Sequence, residues 1–527
     1  MLQFLLIIAA IAIMLYYCGV KPMKYWKERG VKQTSKVWIA GDNWRVLLKL
    51  ESFAEMVERV YKAIPGVRYL GAYQFTLPTL ILKDPDLIKQ ICIRDFDHFV
   101  DHRSFVTEES DPLFGKNLFS LKGQRWRTMR PILSPSFTSS KMKVMFMLMS
   151  ECAESLSGYF LKKEQEILDV DMEDIFTRFA NDVIATTAFG IKTDSLEDQT
   201  NEFYVMGRAV LNFGSLRQRI KFFGYFFVPK LYSYFKIGLF DKHLVSFFTQ
   251  LIEENIKMRR EKGIVRSDMI NLLMEAQNGI QKKEEVDDNG FASIDENDLS
   301  SIEKPALKEL TNLDIAAQAM IFFFAGFDSV SSVMSFMAYE LGVNIVIQNR
   351  LRKEIEDTLE ECEGIITYEA LLKMKYMDMV VSETLRKWPS AIAIDRVCTK
   401  PYTIEPTSSD EKPVHLEQGT VIWLPIYAIH RDPAIYPEPE RFDPERFSAE
   451  NRGYINPYSY IPFGVGPRNC IGNRFASLEI KIVFFHLLTK FEIVPTKKTI
   501  IPIQISKKQF NLHGEGGFNL GLKRLVK

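Results

Sequence analysis

The residue best placed to do chemistry is Cys470, which stands in a glycine-rich stretch from Phe463 to Gly472. No other cysteine or histidine lies close to it in the chain, so the stretch is neither a zinc knuckle nor a redox Cys-x-x-Cys pair. A lone thiolate in such a loop suits the axial ligand of a haem iron, because it pushes electron density onto iron and favours O–O cleavage. The glycines would let backbone N–H groups turn toward the sulfur. The alternative is a structural cysteine buried in a turn.

A second candidate site interrupts an apolar helix that the hydrophobic pattern predicts from about Asn312 to Leu341. Ala325 and Gly326 stand in its middle, where glycine costs about 1 kcal/mol relative to alanine. A local conflict of this kind often marks a functional site, and the two small residues would leave a groove for O₂. Asp328 and Ser329 follow, and an acid beside a hydroxyl can order water and relay protons. A polar stripe on an ordinary helix is the alternative.

Two further spacings place charged or polar groups on one helix face. Glu383 and Arg386 stand three residues apart in an apolar stretch, where burial is plausible. Trp126 and Arg130 stand four residues apart, and an indole N–H and a guanidinium can together bind one carboxylate group. Each spacing alone is a weak signal, because most exposed charged pairs contribute little to stability.

The order Phe-x-x-Gly-x-Arg-x-Cys-x-Gly over residues 463–472 is the cysteine-loop signature of the cytochrome P450 family, matched at every fixed position. The chain resembles this family over residues 25–527, and it is most similar to animal microsomal members, insect detoxification enzymes in particular. The resemblance implies the P450 fold, mainly α with a small β-rich region. It also implies haem b as the cofactor, with Cys470 as the axial ligand of the iron.

The resemblance assigns further roles to single residues. Glu383, Arg386 and Arg446 resemble the family's Glu-Arg-Arg triad, a buried structural network. Haem contacts are expected from Trp126, Arg130, Arg396, Phe463, Arg468, Cys470 and Gly472.

The oxygen-side segment resembles the family's Ala-Gly-x-Asp-Thr, with Ser329 where threonine is usual. Serine keeps the hydroxyl donor but lacks the methyl group that restricts the threonine rotamer. We therefore expect proton delivery by Asp328 and Ser329 to be less well controlled, with more uncoupled peroxide.

No charged pocket motif stands out, and an apolar lining suits a lipophilic substrate. The resemblance makes pocket candidates of Phe105, Phe114, Phe119, Phe213, Phe323, Ile392 and Ile394. With 39 phenylalanines in the chain, many of these would be ordinary core residues.

The implied reaction inserts one atom of O₂ into a xenobiotic, such as an insecticide or plant toxin, or into an endogenous lipid or hormone. Electrons would come from NADPH through a cytochrome P450 reductase, with cytochrome b5 as a second candidate donor. A basic docking face for an acidic reductase would consist of Lys122, Arg125, Arg127, Lys141 and Lys143, and a solvated charged face is the equal alternative. Two rival functions are a P450-type isomerase or dehydratase acting on peroxides, and a non-catalytic haem-bound carrier or sensor of lipophiles.

The chain has 527 residues, and Lys+Arg and Asp+Glu both number 67, so nothing in the charge balance suggests a nucleic-acid partner. Six scattered cysteines fit a reducing compartment better than a disulfide scaffold.

Residues 2–20 are almost entirely apolar and would span about 28 Å as a helix, close to the hydrocarbon thickness of a membrane. Lysines follow directly, which favours a retained signal-anchor in the endoplasmic reticulum with the catalytic body on the cytosolic side. We therefore expect an anchor over residues 1–21, a basic linker over 22–45 and one catalytic domain over 46–527. The aromatic segment 222–229 is a candidate second membrane contact or ordinary core, and residues 278–308 are expected to form a long surface loop.

Overall fold

A computed structural model of the chain describes residues 3–6, 9, 13, 16–34, 37–104, 106–211, 221, 224–225, 229–266, 268–278 and 310–525. Helices dominate this part of the chain, and three small sheets accompany them. The expectation of a mainly α fold with a small β-rich region is therefore confirmed.

The α-helices vary from single turns to a helix of 32 residues. In chain order they are α1 Tyr25–Glu28, α2 Trp44–Leu47, α3 Phe53–Lys62, α4 Pro85–Lys89, α5 Pro112–Gly115, α6 Gly123–Leu133, α7 Ser139–Leu161, α8 Met172–Ile184, α9 Glu202–Leu211, α10 Pro229–Tyr234, α11 Lys242–Lys262, α12 Met269–Gln277, α13 Asn312–Val343, α14 Ile345–Glu361, α15 Tyr368–Lys373, α16 Lys375–Lys387, α17 Ile426–Ile429 and α18 Asn473–Leu488.

The strands form sheets of four, three and two members. They are β1 Tyr69–Gln74, β2 Leu77–Leu82, β3 Ile167–Asp171, β4 Ile394–Val397, β5 Tyr402–Ile404, β6 Val414–Leu416, β7 Val421–Leu424, β8 Phe491–Pro495 and β9 Asn519–Arg524. The four-stranded sheet has the order β1-β2-β7-β4, with β2 parallel to β7 and the other pairs antiparallel. The others have the orders β3-β9-β8 and β5-β6.

The longest helix, α13, begins at a reciprocal cap. The side chain of Thr311 accepts a hydrogen bond from the backbone N–H of Asp314, and Asp314 accepts one from the N–H of Thr311 at 2.9 Å. This capping box satisfies two N–H groups that the first helical turn leaves unpaired. It places the start of the helix where the sequence predicts it.

Two hydrophobic clusters meet along α13. The half from Ile315 to Phe327 packs into one cluster, and the half from Val330 to Leu341 packs into the other. The change between clusters falls at Asp328 and Ser329, so the polar pair lies where the helix passes from one part of the core to the next.

Within the described part of the chain, α13 is also the one helix long and apolar enough to cross a membrane. Of its most apolar window, 61% is buried inside the protein, as in a core helix. The structure describes only residues 3–6, 9, 13 and 16–20 of the apolar N-terminal stretch, so the anchor stays a prediction. Of the segments 222–229 and 278–308, only residues 224–225, 229 and 278 lie among the described residues.

From its sequence, the segment Tyr69–Leu82 is predicted to form a strand pair broken around Pro78. The strand pair exists, but its turn lies earlier. Phe75 adopts a positive φ of 56°, and the chain reverses between Gln74 and Leu77. Pro78 lies inside β2, opposite Tyr73. A proline without an N–H is tolerated near the beginning of a strand, so it did not mark the break.

Candidate active site

The cysteine loop is closed by backbone hydrogen bonds. The N–H of Cys470 donates to the carbonyl of Phe463 at 2.8 Å, and the N–H of Asn469 donates to the carbonyl of Gly466 at 2.9 Å. Gly464 and Gly466 have φ values of +77° and +75°, which side chains disfavour. The glycine pattern seen in the sequence is therefore required by the shape of the loop.

Cys470 immediately precedes the N-terminal turn of α18, and the N–H of Gly472 donates to its sulfur. Burial raises the pKa of the Cys470 thiol, while the bond from Gly472 and the positive charge of Arg130 oppose that shift. The Cys470 side chain is accessible to solvent, but it is surrounded by protein atoms beyond its immediate contacts. This combination is expected of a group that lines an internal cleft. This placement leaves the sulfur free to bind a ligand.

Arg468 is held on several sides by backbone carbonyls. Its Nε donates to the carbonyl of Val100 at 2.7 Å, and its Nη2 donates to that of Leu121 at 2.6 Å. Its guanidinium carbon lies 4.1 Å from the centre of the Trp126 ring, so two predicted haem contacts lie together. Burial, with the nearby charge of Arg396, lowers the pKa of Arg468 to about 9.

Arg130 and Arg396 complete a group of three buried guanidiniums with Arg468. Arg130 donates from Nη1 and Nη2 to the backbone and side-chain oxygens of Asn469, at 3.0 and 2.9 Å. Arg396 is fully buried, and its Nε has no hydrogen-bond acceptor among the residues that the structure describes. Buried charges and orphaned donors are costly unless an anion compensates them. The two carboxylates of haem b fit this group, and the accessible Cys470 thiol fits its iron.

Sequence reasoning missed His102 and Asp395, which lie beside Arg396. The Nδ1 of His102 lies 3.2 Å from Oδ1 of Asp395, and the N–H of Arg103 donates to the same carboxylate. Burial raises the pKa of Asp395, but His102, the Arg103 N–H and Arg396 outweigh it and leave the pKa below its ordinary value. Asp395 therefore supplies part of the negative charge on this side of the site. Its position next to Arg396 in β4 was the signal that could have found it.

The structure brings Glu383, Arg386 and Arg446 together as the resemblance expects. Arg386 binds both carboxylate oxygens of Glu383 at 2.7 and 2.9 Å, and both side chains are fully buried. The Nε of Arg446 lies 3.5 Å from the carboxylate, and the N–H of Asp443 donates to it at 2.8 Å. This pairing joins α16 to the segment around residues 430–446.

On the oxygen side, Ala325 is exposed, and its neighbours Phe324 and Gly326 in α13 are half-buried. A Cβ on Gly326 would lie 2.6 Å from Cδ1 of Ile184, so glycine here allows α8 to approach. The hydroxyl of Ser329 donates to the carbonyl of Ala325 at 2.5 Å. Serine hydroxyls in helices commonly bond in this way to the carbonyl one turn earlier.

Asp328 binds a different partner, Asn511, whose side-chain N–H donates to Oδ2 at 2.5 Å. Burial raises the pKa of Asp328, and the charge of His513 and the bond from Asn511 oppose that shift. The acid and the hydroxyl expected to act together thus hold separate hydrogen bonds.

The predicted pocket residues divide into several classes. Phe323 is 1% exposed and packs against Phe189, Phe203 and Phe248, and Ile392 is also buried in the core. Phe323 lies about 200° around the helix from Ala325, on the face that packs into the core. A role of Phe323 or Ile392 in lining the pocket stays a prediction.

The other pocket candidates are less buried. Phe114 and Ile394 are half-buried, and Phe119 is exposed and stacks on His102 at a centroid distance of 4.5 Å. Phe105 and Phe213 lie outside the described residues.

Comparison with known proteins agrees with the cysteine-loop signature. The sequence model of the family described as Cytochrome P450 matches residues 49–517. The chain is 45% identical to Cytochrome P450 9e2 of Blattella germanica, over 98% of this chain and 97% of that protein. It is 40% identical to Probable cytochrome P450 9f2 of Drosophila melanogaster, over 98% of each chain. It is 35% identical to Cytochrome P450 6k1 of Blattella germanica, over 98% of this chain and 96% of that protein.

Replacing Glu383 by alanine is predicted to destabilise the fold strongly. The change leaves the buried Arg386 charge unpaired, and breaking a buried ion pair costs about 3–5 kcal/mol. We expect little haem-loaded protein, measured by haem content and by denaturant unfolding. The matched control is Glu438→Ala, which breaks an exposed pair with Arg441 at the same spacing of three residues and should cost at most about 1 kcal/mol. Equal effects of the two changes would contradict the prediction.

Replacing Gly466 by alanine is predicted to distort the cysteine loop. The new Cβ would overlap the carbonyl oxygen of Cys92, and the positive φ adds about 1–2 kcal/mol of strain. We expect a lower melting temperature and reduced haem content. Gly158→Ala is the control, since its Cβ meets nothing within 4 Å on helix α7, and it should stabilise by about 0.5–1 kcal/mol. Normal haem content in the Gly466 variant would show that the loop tolerates a side chain.

Proposed function

The chain belongs to the cytochrome P450 family and is a monooxygenase, and from this premise we propose that it inserts one oxygen atom of O₂ into a lipophilic small molecule. The observation that carries the proposal is the accessible Cys470 thiol at the start of α18, beside three buried arginines. A thiolate and a group of buried cations together suit a cofactor that carries both a metal and carboxylates.

The family implies a haem cofactor, and we propose which residues hold it. Cys470 would ligate the iron, with the N–H of Gly472 directed to its sulfur. Trp126, Arg130, Arg396 and Arg468 would surround the carboxylates, and Phe463 would close the loop. When bound, the haem supplies the activation of O₂, while the protein supplies binding, orientation and electrostatics.

Ala325, Gly326, Asp328 and Ser329 are proposed to serve the oxygen side. Ala325 has only a methyl side chain and Gly326 has none, so neighbouring groups can approach the middle of α13 closely. Asp328 is half-buried and would hold an exchangeable proton there, while Ser329 would present its hydroxyl only after leaving the carbonyl of Ala325. Proton supply therefore depends on how often that serine rotates.

The substrate is proposed to be apolar, either a xenobiotic such as an insecticide or plant toxin, or an endogenous lipid or hormone. Phe114, Phe119 and Ile394 are the described candidates that are not fully buried, and all three are apolar. An apolar lining with few polar groups selects lipophilic molecules but does not strongly discriminate among them.

We further propose that residues 1–21 anchor a catalytic domain, residues 46–527, to the cytosolic face of the endoplasmic reticulum through the basic linker 22–45. Phe4, Leu5, Leu6 and Ile13 are all more than half exposed, as a membrane segment requires. Trp38, within the linker, and Leu48, just after it, are also exposed and would add an apolar contact.

Electrons are proposed to come from NADPH through cytochrome P450 reductase, with cytochrome b5 as a second donor. Three of the five basic residues suggested for docking are paired with acids: Arg125 with Glu108, Arg127 with Asp97 and Lys143 with Glu369. These pairs reduce the positive charge that an acidic partner would meet, which favours the solvated-face alternative for that surface.

The decisive test is the ferrous–CO difference spectrum of the detergent-solubilised protein. We expect a strongly red-shifted Soret band, because a thiolate donates more electron density to iron than an imidazole does. Cys470→His should move the band to a histidine-like position, and Cys362→Ser is the matched control and should not. A histidine-like band in fresh, folded wild-type protein would remove the basis for the monooxygenase proposal.

Replacing Ser329 by threonine is predicted to improve coupling of NADPH consumption to oxygen insertion. The added methyl group restricts rotation of the side chain about χ1. The hydroxyl should therefore spend less time in rotamers that point away from the proton path. We expect less peroxide per NADPH, measured with reductase and 7-ethoxycoumarin as a lipophilic probe. Ser331→Thr is the control, because its hydroxyl is buried against the carbonyl of Phe327. An unchanged peroxide yield in Ser329→Thr would count against the expected role of the serine.

A further inference from the structure

The C-terminal segment from Gln504 to Glu515 folds back on itself against α13. The N–H of Ser506 donates to the carbonyl of His513 at 2.8 Å, and the N–H of Glu515 donates to the carbonyl of Gln504 at 2.7 Å. We refer to residues 504–515 as the C-terminal hairpin. The hydroxyl of Ser332 donates to the carbonyl of Leu512 at 3.0 Å and fixes the hairpin to the helix, one turn beyond Asp328.

This docking brings two polar hairpin side chains to Asp328. Asn511 donates directly to the carboxylate at 2.5 Å. His513 acts on it through charge, and Glu173 of α8 acts on it with the opposite sign. Of these three side chains, only His513 can carry an exchangeable proton as a cation near neutral pH.

His513 lies between the half-buried Asp328, on which it acts through charge, and a residue nearer the protein surface. Its side chain is 12% exposed, and its Nδ1 lies 3.0 Å from Oε1 of Glu173, whose side chain is 31% exposed. Burial lowers the pKa of His513, but Glu173 and Asp328 outweigh burial and leave the pKa above its ordinary value. The His513 imidazole therefore contacts one carboxylate that is open to solvent, Glu173, and acts through charge on a second carboxylate within the oxygen-side segment, Asp328.

We propose that His513 is a positioning residue for proton delivery: its positive charge attracts the carboxylate that Asp328 becomes after each delivery, and its contact with Glu173 connects Asp328 to solvent. The proposal rests on the proposed role of Asp328 on the oxygen side. Each proton that Asp328 passes into the site leaves a carboxylate, which a proton from His513 neutralises again. The neutral imidazole of His513 then takes up one proton from solvent by way of Glu173. One proton enters for each proton delivered, so no further co-reactant is consumed.

The proposal makes proton delivery depend on pH. The charged groups that act on His513 are Glu173 from α8 and Asp328 from α13, while the hairpin's own Lys508 and Glu515 pair with each other at 3.8 Å. As the pH rises through the pKa of His513, the cation is lost and Asp328 faces the repulsion of Glu173 alone. Peroxide should then escape more often, because fewer protons reach the site.

The first measurement is peroxide formed per NADPH consumed between pH 6 and 9, with reductase and no added substrate. Wild-type protein should show a step to higher peroxide yield above the ordinary histidine pKa of about 6.5. His513→Gln should give the high yield at every pH. Glu173→Gln should move the step to lower pH, because it removes a charge that raises the pKa of His513. His415→Gln is the matched control, an exposed histidine that contacts Thr403 in another sheet, and it should keep the wild-type profile.

The second measurement needs no turnover. A histidine whose pKa is raised by folding contributes stability that is fully present below the unfolded pKa, about 6.5, and is lost as the pH rises through the folded pKa. The melting temperature of wild-type protein should therefore exceed that of His513→Gln most at low pH, and the difference should narrow toward pH 9. A difference that is the same at every pH would indicate only lost packing and would overturn the proposal.

The outcomes separate this proposal from the function on which it rests. A wild-type pH profile in His513→Gln, together with a raised peroxide yield in Asp328→Asn, would overturn the role of His513 alone. An unchanged peroxide yield in Asp328→Asn would overturn both roles on the oxygen side. If the ferrous–CO spectrum of the wild-type protein lacks the red-shifted Soret band of a thiolate ligand, the proposed function itself is overturned.

Discussion

The fully buried carboxylate of Glu383 is the constraint on which the cysteine side of the molecule depends. It binds Arg386, whose Nη1 donates in turn to the carbonyl of His430 at 2.8 Å. Burial and the charge of Arg386 lower the pKa of His430 to about 3, so its ring stays neutral. Its Nε2 therefore accepts a hydrogen bond from the N–H of Ile461, at the beginning of the segment that carries Cys470. One buried charge pair thus positions the cysteine loop through a continuous series of hydrogen bonds.

Three guanidiniums are buried around the same loop, and burying their positive charges costs free energy unless anions compensate them. Arg130, Arg396 and Arg468 are offset in part by Asp395 and by backbone carbonyls. Burial first, and then the charges of Arg396 and Arg130, lower the pKa of Arg468, while Asp101 and Asp395 oppose that shift. A fold that holds such a group gains stability from a bound dianion, since any ligand that binds only the native state stabilises it.

The parts of the site that could be predicted from sequence are those in which function requires a local pattern. The cysteine loop needs glycines at positive φ, and the cap of α13 needs Thr311 three residues before Asp314. Both patterns are local, so they can be recognised in the sequence. The parts that could not be predicted depend on distant contacts. His102 meets Asp395 across 293 positions, and Asn511 meets Asp328 across 183. A hydrophobic pattern also cannot tell a core phenylalanine such as Phe323 from one that lines a cavity, because both are apolar positions on the same helix.

The two sides of the site therefore differ in how their charges are controlled. On the cysteine side, neighbouring arginines stay charged at any physiological pH, so that environment is fixed by the fold. On the oxygen side, the charge of His513 opposes the rise that burial causes in the pKa of Asp328, and histidine is the side chain whose ordinary pKa lies nearest physiological pH. A permanent cationic environment suits the retention of an anionic cofactor, whereas a titrating one suits the passage of protons. Because α13 separates its two core clusters at Asp328, the titrating group can be placed there without exposing either cluster to water.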